Sequence, residues 1–309
     1  MHGEKGKDIL PTYYYQSTLL HAGHERKLFL GDQASKVCRF CLRDSALTSF
    51  RQDAHVLPEF MGNKVLFSHF ECDECNSLFS KYENAFTNYF GIHHTFSRLK
   101  GKTKIPKYKS EKEGFSVEAR EEDIGMFSSN GNDSVRIDHK ENKINIETIR
   151  PSYIPNQVLK CLVKIGFCAI PNTDLPFLEQ TRKWLRGELD DKTFKGHPLF
   201  IVYYNIGGGL LSKFPFAAVL SKRDNRSVPQ TTVMICYDRF KFQFFMPFDI
   251  RDAKLFERQE VQLPIQDQLM RIREDGKGLT FFWKDFSGFE KVVGEKYTFS
   301  MGFEDGTPL

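Results

Sequence analysis

Cys38-Arg39-Phe40-Cys41, then thirty residues, then Cys72-Asp73-Glu74-Cys75-Asn76 frame the stretch on which the fold turns. Between them stands Asp53-Ala54-His55-Val56-Leu57-Pro58-Glu59-Phe60-Met61-Gly62-Asn63. Each Cys-x2-Cys pair presents two thiolates from one tight turn, and four thiolates satisfy tetrahedral zinc. A shell of four cysteines leaves no open position, so the Zn2+ expected at Cys38, Cys41, Cys72 and Cys75 is structural, not catalytic. The remaining cysteines of the seven, Cys161, Cys168 and Cys236, stand alone. An odd count argues against a disulfide framework, and lone thiols in a reducing compartment read as small buried apolar residues.

After the second pair, Leu78, Phe79, Tyr82, Phe86, Tyr89 and Phe90 recur three and four apart. That spacing predicts an amphipathic helix over 77–90, with Gly91 as its stop. His93-His94 beyond it are explained by the favourable dipole at a helix C-terminus, without a metal.

The order of these parts resembles the HNH endonuclease family. In its zinc-bearing members a first CxxC precedes a strand ending in His-Val-Ile-Pro or a close variant, here His55-Val56-Leu57-Pro58. A glycine-containing loop follows, and CxxCN, here Cys72 to Asn76, opens the metal-binding helix. The resemblance covers Val37 to Phe90. It implies a small zinc-stapled ββα-metal module that hydrolyses DNA phosphodiester bonds. His55 would be its general base, and Asn76 would ligate a catalytic Mg2+ or another divalent ion. A neutral imidazole near pH 7 suits proton removal from the attacking water, and a divalent ion suits the charge growing on the departing oxygen.

The sequence departs from the family pattern in two places. Family members often carry an acidic residue or histidine directly before the base, where this chain has Ala54. Asp53, turned to the same face as His55 by strand alternation, and Glu83, two turns below Asn76, are the candidates for the missing ligand. Where the family places a central asparagine, this chain has Phe67-Ser68-His69-Phe70, leaving Asn63, His69 or a backbone carbonyl to orient the base. Asn76 is equally explained as a helix N-cap, and Glu59 and Glu83 as solvated charges.

The 309 residues, 40% hydrophobic and 27% charged, are long enough for two soluble domains. No apolar run approaches membrane length and no secretory signal opens the chain, so a cytoplasmic protein is expected. The net charge of +4 is uneven: residues 1–112 hold 17 Lys and Arg against 12 Asp and Glu, and the remainder nets −1. Much of the excess lies at Arg98, Lys100, Lys102, Lys104, Lys107, Lys109 and Lys112. Lys100, Lys102, Lys104 and Lys107 are candidates to grip phosphates without reading sequence; the run is equally read as a solvated linker.

The chain thus divides into an arm (1–35), the HNH module (36–100), a basic, polar linker (101–130) and an α+β C-terminal domain (131–309). In the last, alternation around 139–142 predicts a hairpin, 158–170 a buried helix, and a second helix begins near Thr173 or Asp174 and runs past Trp184. Four aromatic and β-branched strands follow, and Gly207-Gly208-Gly209 reads as a turn between two of them. That domain is expected to regulate, select substrate or form a homo-oligomer. By analogy with HNH effectors in bacterial anti-phage systems, it would answer a defence partner or activating ligand in a restriction or defence role. The competing readings are a non-catalytic zinc-containing protein that binds nucleic acid, and a structural or partner-binding protein whose zinc only stabilises the fold.

Overall fold

The apolar spacing that begins at Leu78 does not end at Gly91. Helix α1 spans Asp73–Phe96, with Ile92, His93, His94, Thr95 and Phe96 all buried. Gly91 sits within the helix, where a Cβ would make ordinary contact with the Tyr108 ring at 3.4 Å. The chain reverses only after Ser97, at Arg98, whose φ is 55°. His93 and His94 are core residues, not charges at a helix end. Their Nε2 atoms meet the hydroxyls of Tyr297 at 2.5 Å and Tyr237 at 2.8 Å. Burial pushes both pKa values down to about 3, so neither carries the charge that a dipole argument requires.

The computed structural model describes residues 13–101, 104–110, 114–120, 123–129, 134–206, 212–224, 227–256, 261–265 and 280–302. Its strands, in chain order, are β1 (Tyr14–His21), β2 (Leu28–Leu30), β3 (Ala54–His55), β4 (Leu66–Ser68), β5 (Tyr108–Lys109), β6 (Phe115–Ala119), β7 (Ile124–Ser128), β8 (Val135–Asp138), β9 (Lys143–Ile149), β10 (Ile201–Ile206), β11 (Ser212–Lys222), β12 (Thr231–Asp238), β13 (Phe240–Phe245), β14 (Thr280–Asp285) and β15 (Lys296–Gly302). Two further helices are α2 (Pro155–Ala169) and α3 (Glu179–Leu185), the latter entered through a 3-10 turn at Leu175–Leu178. The molecule is a mixed α+β protein. No described helix is long and apolar enough to cross a membrane.

The large sheet is antiparallel, in the order β1-β11-β12-β13-β10-β14. Its first strand comes from the segment read as an arm: Tyr14 pairs with Lys222 and His21 with Phe216. The segment read as a linker also departs from expectation. It carries the sheet β5-β6-β7, because Phe115 and Val117 alternate inward and are buried. The hairpin around 139–142 forms as β8 and β9, with Asn142 in the left-handed region at its turn, and β15 completes that sheet. Gly207-Gly208-Gly209 lies outside the described residues.

Helix α2 is buried on nearly every side, so it must be enclosed by other elements. It packs against α1 and β11. One continuous core runs from Cys38 and Phe40 in the zinc module through Phe79 and Phe86 to Leu162 and Phe167 of α2, then to Tyr204 and Phe242 of the sheet. Ring contacts trace the same path: Phe40 lies 5.5 Å from Phe167, and Phe86 5.6 Å from Phe242. A second core joins Ile92 and Phe96 to Tyr108, Phe115, Ile146 and Phe299. The 24-residue α1, about 36 Å long at 1.5 Å per residue, therefore serves three sets of neighbours along its length. Cys161, Cys168 and Cys236 are buried and free, as expected of small apolar residues.

Candidate active site and zinc centre

The four sulfurs of Cys38, Cys41, Cys72 and Cys75 all lie within 4.8 Å of one another, with Cys41 and Cys72 3.7 Å apart. A tetrahedron with zinc–sulfur bonds of about 2.3 Å separates its sulfurs by about 3.8 Å, so the cluster fits structural zinc. The first turn closes through Leu42, whose φ is 60° and whose N–H donates to Cys38 O at 2.8 Å. Cys41 N–H and Arg43 Nε point donors at thiolate sulfurs, at 3.5 and 3.4 Å, which favours the charged ligand form. Cys72 caps α1 and Cys75 lies in its first turn. A zinc ion held by these four sulfurs would join the first knuckle to the start of the helix.

His55 closes β3, opposite Phe67 of β4 in an antiparallel pair, with its ring 4.6 Å from the Phe67 ring. β2, from the N-terminal segment, extends this small sheet parallel to β4. Gly62 turns the loop between β3 and β4 at a φ of 93°, a backbone shape that favours glycine. Asn63 then stitches the loop together. Its fully buried amide donates to Leu57 O at 2.7 Å and Leu66 O at 2.8 Å, and accepts from the N–H groups of Val65 and Leu66. Of the residues considered for orienting the base, Asn63 thus fixes the loop that follows it. His69 is separated from His55 by two rings: it stacks on Phe29 at 4.7 Å, and Phe29 stacks on Phe67.

Among the described residues no hydrogen bond reaches a ring nitrogen of His55. Burial holds its pKa below the ordinary histidine value; Glu59 and Asp53 oppose that shift, and Lys164 and Lys64 reinforce it. The imidazole is therefore neutral at pH 7 and able to accept a proton.

Asp53 is half-exposed and paired with Lys27 at 3.0 Å. Asn76 is the fourth residue of α1, so it is not the N-cap; that place belongs to Cys72. Its Nδ2 donates to Gln52 Oε1 at 2.8 Å, which leaves its carbonyl oxygen directed away from that bond. Asp53 follows Gln52 in the chain, and its carboxylate is turned to Lys27. Asp73, which sequence reasoning passed over, ties the segment before β3 to α1: its carboxylate accepts from Ser49 Oγ and from the N–H groups of Arg51 and Gln52. Glu83 lies further along α1, its pKa raised by burial and by Glu59, with Lys164 opposing. Among the described residues the four cysteines are the group of three or more His, Cys, Asp or Glu side chains that converges. A Mg2+-type ion needs only one or two protein oxygens, the rest coming from water and phosphate; here Asp53 is engaged by Lys27 and Asn76 by Gln52.

The lysine run begins near this face. Lys64 bridges Glu59 at 2.6 Å and Gly101 O at 3.0 Å. Lys100 and Lys104 are exposed. Lys107 is paired with Glu118, and Lys102 lies outside the described residues.

The family model for HNH endonucleases matches residues 38–90, the span from the first zinc cysteine to the aromatic middle of α1. Comparison with curated proteins and with solved structures finds no significant match.

Proposed function

We propose, from an HNH endonuclease module at residues 38–90, that this chain hydrolyses DNA phosphodiester bonds with His55 as general base. The observation that carries the reading is the environment of His55. A neutral, half-buried imidazole with no ring-nitrogen partner among the described residues stands on a strand followed by the loop that Asn63 fixes and preceded by the segment that Asp73 of α1 clamps. In that setting His55 takes the proton of a water attacking phosphorus, and the Phe67 ring limits how far the imidazole swings. Asn76 and Asp53 would hold a divalent ion, with Glu83 as a further donor; when bound, it supplies positive charge to the phosphate and the departing oxygen. Lys64, Lys100 and Lys104 would meet flanking phosphates without reading sequence. By fold-level analogy, the C-terminal region would answer a defence partner or activating ligand in anti-phage restriction.

Supercoiled plasmid incubated with the chain and Mg2+ or Mn2+ should be nicked and linearised, and EDTA should prevent it. His55→Ala should lower the rate by about 10²–10⁴, the usual contribution of a general base, without altering zinc content. Equal cutting by both proteins would remove His55 from the reaction. The second reading, a zinc-containing protein that binds nucleic acid without cutting, is favoured by Ala54 and by the engagement of Asp53 with Lys27. It predicts salt-sensitive DNA binding with no cleavage under any divalent ion.

A further inference from the structure

Two basic contacts join α2 to the zinc module. From the module, Arg39 caps the C-terminal end of α2, donating to the carbonyls of Phe167, Cys168 and Ile170 at 2.8–3.2 Å. From α2, Lys164 reaches the other way. Its Nζ donates to the backbone carbonyl of His55 at 2.7 Å and lies 2.9 Å from Glu71 Oε2. Both side chains of this ion pair are out of solvent, at 3% and 0% exposure, and Lys164 lies 109 residues from His55, outside the family match.

A buried ammonium is costly unless it is paired and hydrogen-bonded. Lys164 meets the two conditions with two partners, the Glu71 carboxylate for the charge and the His55 carbonyl for the hydrogen bond. β3 has only two residues, paired to Ser68 and Phe67, so few ladder bonds fix its end. A charge-assisted bond of roughly twice ordinary strength is then a large share of what holds the His55 main chain. Glu71, immediately before Cys72, anchors the ammonium to the zinc frame.

We propose that Lys164 is a positioning residue for His55: its bond to the His55 carbonyl sets where the imidazole stands, and through it α2 supports the cleavage centre directly. The proposal rests on His55 being the general base, so its test reads position and rate separately.

The variants are Glu71→Gln, which keeps Lys164, and the double variant K164M/E71Q, which removes both charges and avoids stranding a carboxylate in the core. In the full-length zinc-loaded chain, NMR reads the contact between the His55 and Phe67 rings, and plasmid cleavage gives kcat and KM. The expected result is that K164M/E71Q binds zinc as the native chain does and loses the ring contact. Its kcat falls about 100-fold, the effect of misplacing a reacting group by about 1 Å, while KM is unchanged. Glu71→Gln keeps the contact and most of its kcat. Native kcat and an intact ring contact in K164M/E71Q overturn the proposal, as does an equal loss in both variants. If the native chain does not cut DNA, the nuclease reading falls. The ring contact then decides alone: its loss in K164M/E71Q alone upholds the positioning role, and any other pattern overturns it.

Discussion

Asn63 carries four hydrogen bonds in a place that water does not reach. Its truncation leaves the Leu57 carbonyl and the Leu66 N–H buried without that partner, each costing about 1–3 kcal/mol. Asn63→Ala should therefore destabilise the chain by about 2–4 kcal/mol in urea unfolding, more than ordinary surface substitutions. A loss below about 0.5 kcal/mol would show that the loop is held by something else. His93 and His94 give a pH dependence. Both are neutral in the fold, with pKa values about 3, against about 6.5 once unfolded. The unfolded chain binds more protons between those values, so stability is fully present above about pH 6.5 and falls as pH drops towards 3, by several kcal/mol in order of magnitude. Replacing both with phenylalanine should flatten this slope in unfolding measured from pH 7 to pH 4. An unchanged slope would mean that other groups set it.

At α1 the sequence pattern and the fold agree most closely, and the disagreements are informative. The apolar repeat from Leu78 to Phe90 marks the face that meets α2 and the large sheet, and Phe86 is buried between them. Phe86→Ala should cost about 3–5 kcal/mol in the midpoint of chemical unfolding. Chelating the zinc should free the first knuckle and lower the melting temperature, while α1 keeps most of its helical circular dichroism because its later turns are buried against other elements. Complete loss of helix signal on chelation would refute that division. The cysteine pairs, the hairpin at 139–142 and the strands between Ile201 and Phe245 were legible because each shows a local period. β1 was not, since its pairing partner stands about two hundred residues away. β5 to β7 were not, since two inward residues, Phe115 and Val117, are too few to outweigh the lysines around them. The site divides the same way. His55 and the four cysteines are carried by a linear motif, but the Asp73 clamp and the Lys164 contact exist only through tertiary packing.

The core is shared across the whole molecule: Phe79, Tyr82, Phe86, Tyr89 and Phe90 of the matched span are buried in the same cluster as Leu162, Tyr204 and Phe286. Excised residues 36–100 would expose these five rings, on the order of 1,000 Å2 at 150–250 Å2 each. That exceeds the 300–600 Å2 of the largest patch on a typical monomer. The fragment should therefore bind zinc yet aggregate or remain partly unfolded, as sedimentation and amide dispersion would show; a monomeric, well-dispersed fragment would contradict the shared core. The pairing of Tyr14 with Lys222 has a further consequence, one of timing. A ribosome adding about 5–20 residues per second needs roughly 10–40 s to travel from one partner to the other. Once residue 75 has been added, the emerging chain holds all four clustered cysteines and His55. It still lacks the strand that closes its sheet, and for much of the interval α2 as well. The residues proposed to form the cleavage centre therefore gain their β11 and α2 surroundings only late in synthesis.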